Sequence, residues 1–300
     1  MKRRTFLSVA GAAGLASAAT PTASAAPGPW KDGKRWVYSI TYDEGAQDLL
    51  KHAVPLHRSY GVPGHVALVS SQIGVPRNVP GSTYHGMMIL NREEIQGLAR
   101  EGWGFSCHSM THVSTSFENG QVEVADARKT LEDAIGLPIT VFTVPGSNAG
   151  HPASLHFAPL GGYSAIMTIY DWTNTRETDL LWLGRCPIHS EYPAPFYSKF
   201  DPYKRLQQAK AESGWIIDYC HCPIPGTALH PAKDCTSEEL EARFKAVKEI
   251  GGDEVWLAEP NEVVAFLLED AESKRLRVHP AVPEAMVLNE EMRALYKQRR

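Results

Sequence analysis

The sequence predicts an α/β fold, a (β/α) barrel of about seven or eight parallel strands in a single domain, on three observations. Short apolar, β-rich runs alternate with helix-like segments. Some seven or eight such units fit into roughly 250 residues, which suits a barrel better than an open sheet. Polar residues able to do chemistry stand just after the strands rather than inside them. An open doubly wound sheet is the structural alternative.

In chain order the expected strands are WVYSITY (36–42), HVALVS (65–70), WGFSC (103–107), ITVFTV (139–144), YSAIMTI (163–169), LLWLGR (180–185), WIIDYC (215–220) and EVWLA (254–258). Between them lie the helix-like stretches GAQDLLKHAVPLHRSY, NREEIQGLAREG, VEVADARKTLEDAIG, YKRLQQAKAESG and SEELEARFKAVKEIGG. Asn91 and Thr236 or Ser237 have the side chains of helix N-caps, and Gly102, Gly136, Gly214 and Gly251 those of terminators. Three segments interrupt the alternation: a Gly/Pro-containing loop at 71–90, an aromatic-rich stretch at 171–203, and a tail after about Ser273.

Composition excludes some functions. Of 300 residues, 43% are hydrophobic and 21% charged, enough apolar material for a substantial core. A formal charge of −4 and a pI near 6.3 leave no basic footprint for nucleic acid. No apolar run reaches the ~18 residues of a membrane span.

Residues 1–25 read as an export signal, with a basic start, an apolar middle and an A-x-A site at Ala23-Ser24-Ala25. Arg3-Arg4 followed by Thr5-Phe6-Leu7 is of the twin-arginine type, which implies a secreted or cell-envelope protein. A general secretory signal is the alternative. Cleavage would remove Lys2, Arg3 and Arg4 and take the formal charge from −4 to −7. Five cysteines, an odd number, leave at least one unpaired in a monomer.

In a parallel barrel every strand's C-terminal end opens on one face. Asp43 and Glu44 follow the first strand, His108 and His112 the third, Pro145-Gly146 the fourth, Asp171-Trp172 the fifth and His221 the seventh. These residues therefore converge if the topology holds. Two imidazoles and a carboxylate suit a divalent cation with open positions for water and substrate. His108 and His112 have a spacing that reaches one ion from a helical turn. Either Asp43 or Glu44 can be the carboxylate, leaving the other as a general base. H-x-x-x-H alone is weak evidence, and two solvated loop histidines are the bland alternative. In an alternating strand, a His221 ring facing the site turns Cys220 and Cys222 away from it as core residues.

TYDEG (41–45), HSMTH (108–112), VPGSNAG (144–150), DW (171–172) and YCH (219–221) resemble, in order, the five motifs of the polysaccharide deacetylase family. That family includes chitin-oligosaccharide, peptidoglycan and acetylxylan deacetylases. The resemblance covers roughly residues 36–270 and places the domain at 30–273, with 274–300 as an extension. It implies a distorted (β/α) barrel holding one divalent metal, commonly zinc, and an acetylated carbohydrate substrate. By position, Asp43 is the implied base, Glu44, His108 and His112 the metal ligands, His221 the acid, and Asp171 the buried partner that tunes that acid.

Two departures stand out. The family's T-F-D-D is here T-Y-D-E, so Tyr42 and Glu44 are substituted. The arginine that pairs with the base in the third motif is Thr143, and Arg185 at the end of the sixth strand is a candidate replacement. A metal-dependent hydrolase of a non-carbohydrate amide or ester, and a carbohydrate-binding protein without catalysis, are the other readings.

Overall fold

The structure is a computed structural model, and it describes residues 27–191 and 199–269. The export signal, the C-terminal extension and the aromatic residues Tyr192, Phe196 and Tyr197 lie outside the described residues.

One strand organises the molecule. β1 (Trp36–Asp43) is buried along its whole length and is flanked on both sides by parallel neighbours. It pairs with β7 (Trp215–Cys220) from Val37 to Tyr42. On its other side it pairs first with β8 (Val255–Leu257) at Trp36–Tyr38, then with β2 (His65–Leu68) at Tyr42–Asp43. The sheet continues through β3 (Gly104–Cys107), β4 (Val141–Thr143) and β5 (Ala165–Met167), and β6 (Cys186–Pro187) lies beyond β7. Its order is β5-β4-β3-β2-β1-β7-β6, with every named pairing parallel. A single bridge between Met167 and Leu183 joins the two ends, so the curled sheet meets itself at one seam. The expected α/β barrel is borne out.

Side-chain alternation along β1 sorts the core into two bodies. Trp36, Tyr38, Ile40 and Tyr42 face outward into a layer with Leu49, Ile95, Leu98, Leu131, Ile135 and Phe244 from the surrounding helices. Val37 faces inward, packed with Val141, Met167, Trp215, Ile217 and, from α8 (Pro260–Glu269), Val264 and Leu267. That second body fills the barrel's lower interior. Ser39, Thr41 and Asp43 continue the inward column, so Asp43 emerges at the mouth.

The helices that the sequence signals form as expected at their caps. α3 (Arg92–Arg100) and α7 (Ser237–Gly251) each begin with a complete capping box, Asn91 with Glu94 and Thr236 with Glu239. α4 (Ala127–Ile135) ends on Gly136 in the left-handed region. The stretch 45–60 instead divides into α1 (Leu49–His52) and α2 (Val54–Tyr60), with Pro55 in the first turn of the second. α6 (Leu206–Glu212) is shorter than its pattern and closes on Ser213.

Two expectations are corrected. The run 180–185 is not a strand: Asp179 accepts a hydrogen bond from the Leu181 N–H at 2.8 Å and turns Leu180–Trp182 into a 3-10 helix, all three side chains buried. The sixth strand is Cys186–Pro187, and Arg185 stands just before it. α5 (His151–Leu160) was not expected, because prolines at 152 and 159 disguise it. The first sits in the opening turn, where no N–H is needed, and the second at the closing one. Among the described residues no helix is long and apolar enough to cross a membrane.

Candidate active site

The C-terminal ends of the strands open on a cavity of about 520 Å³ lined by Asp43, Glu44, His108, His112, Asp171 and His221. All six sequence-predicted residues are thus brought to one place. The inward register of β1 delivers Asp43, that of β3 delivers His108, and that of β7 delivers His221. Cys220 and Cys222 are fully buried on the other face, as alternation requires.

Asp43 is held by Arg185. The guanidinium donates from Nη1 to Oδ1 at 2.6 Å and from Nη2 to Oδ2 at 3.1 Å, and Nη1 also reaches Thr41 Oγ1 at 3.0 Å. The group lies over the Tyr219 ring, 4.7 Å from its centroid, and is fully buried. Burial pushes the Asp43 carboxyl up, but the Arg185 charge, with His108 and Arg185's hydrogen bonds, holds it well below the usual carboxylate range. The Asp43 carboxylate therefore has an arginine partner, supplied from beside β6 rather than from position 143.

Thr143 has a different task. Its carbonyl accepts the His108 Nδ1–H at 2.9 Å, which leaves the His108 Nε2 lone pair facing the cavity. Burial pushes His108 down to about 4, so the ring is neutral. Tyr42 in turn donates its hydroxyl to His57 Nε2 at 2.7 Å, while His57 Nδ1–H donates to the Val62 carbonyl at 2.7 Å. The substituted aromatic is satisfied by a buried histidine behind the site.

His108 and His112 do not share a helical turn. Residues 108–112 form a loop in which Ser109 (φ 69°) and His112 (φ 70°) are left-handed. Glu44 (φ 75°) is left-handed as well. Such backbone costs free energy at non-glycine residues and collects at functional sites. The loop is pinned from below by Glu123, which accepts from Thr111 N–H at 3.0 Å and Thr111 Oγ1–H at 2.7 Å. The Ser109 hydroxyl accepts the His112 N–H at 2.9 Å.

Glu44 divides its oxygens: Oε2 pairs with the buried Arg77 of the 71–90 loop, and Oε1 lies 3.1 Å from His112 Nε2 and 4.0 Å from His221 Nε2. Burial raises its carboxyl, and His112, His221 and Arg77 more than offset that, so it is ionised. His221 is oriented by its neighbours. Its Nδ1–H donates to the Lys233 carbonyl at 3.2 Å, and its backbone N–H to Asp234 Oδ1 at 3.0 Å.

Asp171 requires a correction. It lines the cavity, but its carboxylate accepts from Lys204 Nζ at 2.8 Å and Arg205 Nε at 2.9 Å. The acid beside His221 is Asp234. Arg77, Glu123, Arg185 and Asp234, together with the cavity-lining His189, are the residues that motif reading left unassigned or only guessed. Each acts across a long loop, where no short spacing marks it. Trp172 and Trp182 of the aromatic-rich stretch are buried in the core.

Glu44, His108 and His112 match a divalent cation in donor type, and two of their three pairwise separations suit one. Two donors each about 2.1 Å from one ion stand about 3.0–3.5 Å apart, and imidazoles so placed have centroids about 5 Å apart. The separation of His112 Nε2 from Glu44 Oε1 is 3.1 Å and the two ring centroids are 5.0 Å apart. Among the described residues, no three His, Cys, Asp or Glu side chains are grouped closely enough to hold a metal ion as they stand.

Residues 31–160 match the family model described as polysaccharide deacetylase. A Bacillus subtilis (strain 168) protein, named Putative polysaccharide deacetylase YxkH, is 22% identical over 152 residues. That match spans half of this chain and half of the relative's own length. A crystal structure of a Mycobacterium smegmatis protein of the same description aligns with a TM-score of 0.50 at 16% identity. It covers 86% of this chain and 98% of that one, a likeness of fold.

Proposed function

From the match of residues 31–160 to the polysaccharide deacetylase model we propose that the chain belongs to that family and is a metal-dependent hydrolase removing N- or O-linked acetyl groups from a carbohydrate. The observation that carries this reading is one cavity where an arginine-clamped carboxylate, Asp43, meets the donors Glu44, His108 and His112 and the imidazole of His221. Glu44, His108 and His112 would hold one divalent ion, zinc by the family's habit and by the preference of mixed imidazole and carboxylate sites. When bound, such an ion supplies a polarised acyl carbonyl and a water of lowered pKa.

The chain's own residues supply the proton traffic. Asp43 keeps lone pairs on both oxygens beyond those given to Arg185, and it takes the proton of the attacking water. His221, with Nδ1–H fixed on the Lys233 carbonyl, presents Nε2 to the cavity. Protonated there, it gives its Nε2 proton to the leaving amine or alcohol as the bond to the acetyl carbon breaks. Acetate and the freed amine or hydroxyl are the products. The signal at residues 1–25 supports export by the twin-arginine route to the cell envelope or beyond.

The test has two arms. The purified chain should hold about one divalent ion, lost in His112→Ala, and it should release acetate from acetylated oligosaccharides, a turnover lost in Asp43→Asn. Retention of full turnover by Asp43→Asn would falsify the assignment of the base. One observation favours a second reading, a carbohydrate-binding protein without catalysis: Arg77 already occupies Glu44. That protein would bind glycans without metal and release no acetate.

A further inference from the structure

The loop 71–90 crosses the mouth of the barrel and touches both halves of the site. Bridges of Ala46 with Ile89 and of Pro76 with Met88 fasten its returning limb. Arg77 meets Glu44 on one side. On the other side Tyr84, buried at 2% exposure, lies flat against the His221 ring, with centroids 4.8 Å apart and planes 12° from parallel. The Tyr84 hydroxyl donates to Asp234 Oδ2 at 2.6 Å. The other oxygen of that carboxylate, Oδ1, accepts the backbone N–H groups of His221 at 3.0 Å and Cys222 at 2.9 Å. One side chain thus fixes the plane of the imidazole and the carboxylate that holds the imidazole's backbone.

We propose that Tyr84 is a positioning residue for the leaving-group acid: its ring and hydroxyl together aim the His221 Nε2–H at the departing nitrogen or oxygen. The proposal rests on the assignment of His221 as that acid. Tyr84 touches no reacting atom itself. The ring excludes the alternative imidazole orientations that a free face would allow, and the hydroxyl keeps Asp234 turned so that Oδ1 serves the chain at 221–222.

A leaving-group comparison separates this role from a merely structural one. Amine and sugar-alkoxide leaving groups need a proton in the transition state, whereas 4-nitrophenolate leaves without one. Acetate release is measured for the full chain, loaded with zinc or cobalt, on chito-oligosaccharides, acetylated xylo-oligosaccharides and 4-nitrophenyl acetate. The variants are Tyr84→Phe, which keeps the ring, Tyr84→Leu, which removes both contacts, and His221→Asn as reference. On the sugar substrate turned over, kcat should fall about tenfold in Tyr84→Phe and about a hundredfold in Tyr84→Leu, with KM little changed. On 4-nitrophenyl acetate the two Tyr84 variants should stay within about twofold of the parent, and His221→Asn should lose far less than it loses on the sugar. Equal losses on both substrate types, or no loss on either, would overturn the proposal while His221→Asn still shows the split. Absence of the split in His221→Asn itself would overturn the assignment of the acid, and the role of Tyr84 with it.

Discussion

Arg185 grips Asp43 in a two-pronged ion pair across 142 residues of chain, and both side chains are buried. The pair takes the place of a contact that the motif sequence lacks at Thr143. Removing the guanidinium strands a carboxylate in the barrel interior. Arg185→Met should therefore lower stability by about 3–5 kcal/mol in denaturant unfolding. Adding Asp43→Asn should restore a large part of that loss, because the stranded charge is gone. A double variant no more stable than Arg185→Met would show that the lost packing, not the charge, dominates.

Stability should fall on mild acidification, and His57 gives the sign. Burial pushes its pKa down to about 4, against an ordinary value near 6.5 in the unfolded chain. Between those values the unfolded state binds the extra proton. The contribution is therefore complete above about pH 6.5 and is lost as pH falls towards 4. From pH 7 to pH 5 this one ring should cost about 2 kcal/mol. Urea midpoints at the two pH values, for the parent and for His57→Asn, should show a smaller drop in the variant.

Glu44→Gln keeps the size of the side chain but leaves Arg77 without its anion. Retention of zinc or cobalt after dialysis should drop at least about tenfold, read by elemental analysis. Far-UV circular dichroism should remain that of the parent. Unchanged metal content would remove Glu44 from the ligand set.

Glu123 does not line the cavity, yet it holds the backbone and hydroxyl of Thr111 between the two site histidines. Glu123→Ala should weaken ion retention about tenfold and cost about 1 kcal/mol of stability, since two part-buried hydrogen bonds to Thr111 are lost. A stability loss with metal retention intact would confine Glu123 to packing.

Asp171 and Asp234 offer a direct contrast. Asp171→Asn should loosen the ion pairs to Lys204 and Arg205 and leave the preference between sugar esters and 4-nitrophenyl acetate unchanged. Asp234→Asn should shift that preference in the direction of His221→Asn. Acetate release on the two substrate types decides between them.

What could be read from the sequence followed from periodicity. Alternation in β1, β3 and β7 and the common exit of parallel strands place Asp43, His108 and His221 at one mouth, and the structure puts them there. Helix caps at Asn91 and Thr236 were equally legible, being complete within four residues. Arg185 was visible as a candidate partner for Asp43, but its placement was not, because the run before it looked like a strand and is a buried turn. Tyr84 meets Asp234 across 150 positions, with neither residue in a repeating pattern. The left-handed backbone of Glu44 and His112 was hidden for another reason. Non-glycine side chains give no warning of positive φ, so the spacing of His108 and His112 suggested a helical turn.

The seam of the barrel gives the ion pair a second meaning. Arg185 follows Leu183, the residue of the closing bridge, by two positions, and its Nε–H also donates to the Thr168 carbonyl at 3.1 Å on the far side of that seam. The same guanidinium is thus a rivet through the wall and the counterion of Asp43. Any breathing of the wall there would disarm the carboxylate and admit solvent in one event. Protection of the amide hydrogens of Thr168 and Leu183 should then decay in step with activity as denaturant is raised, so that the molecule acts as its own fuse.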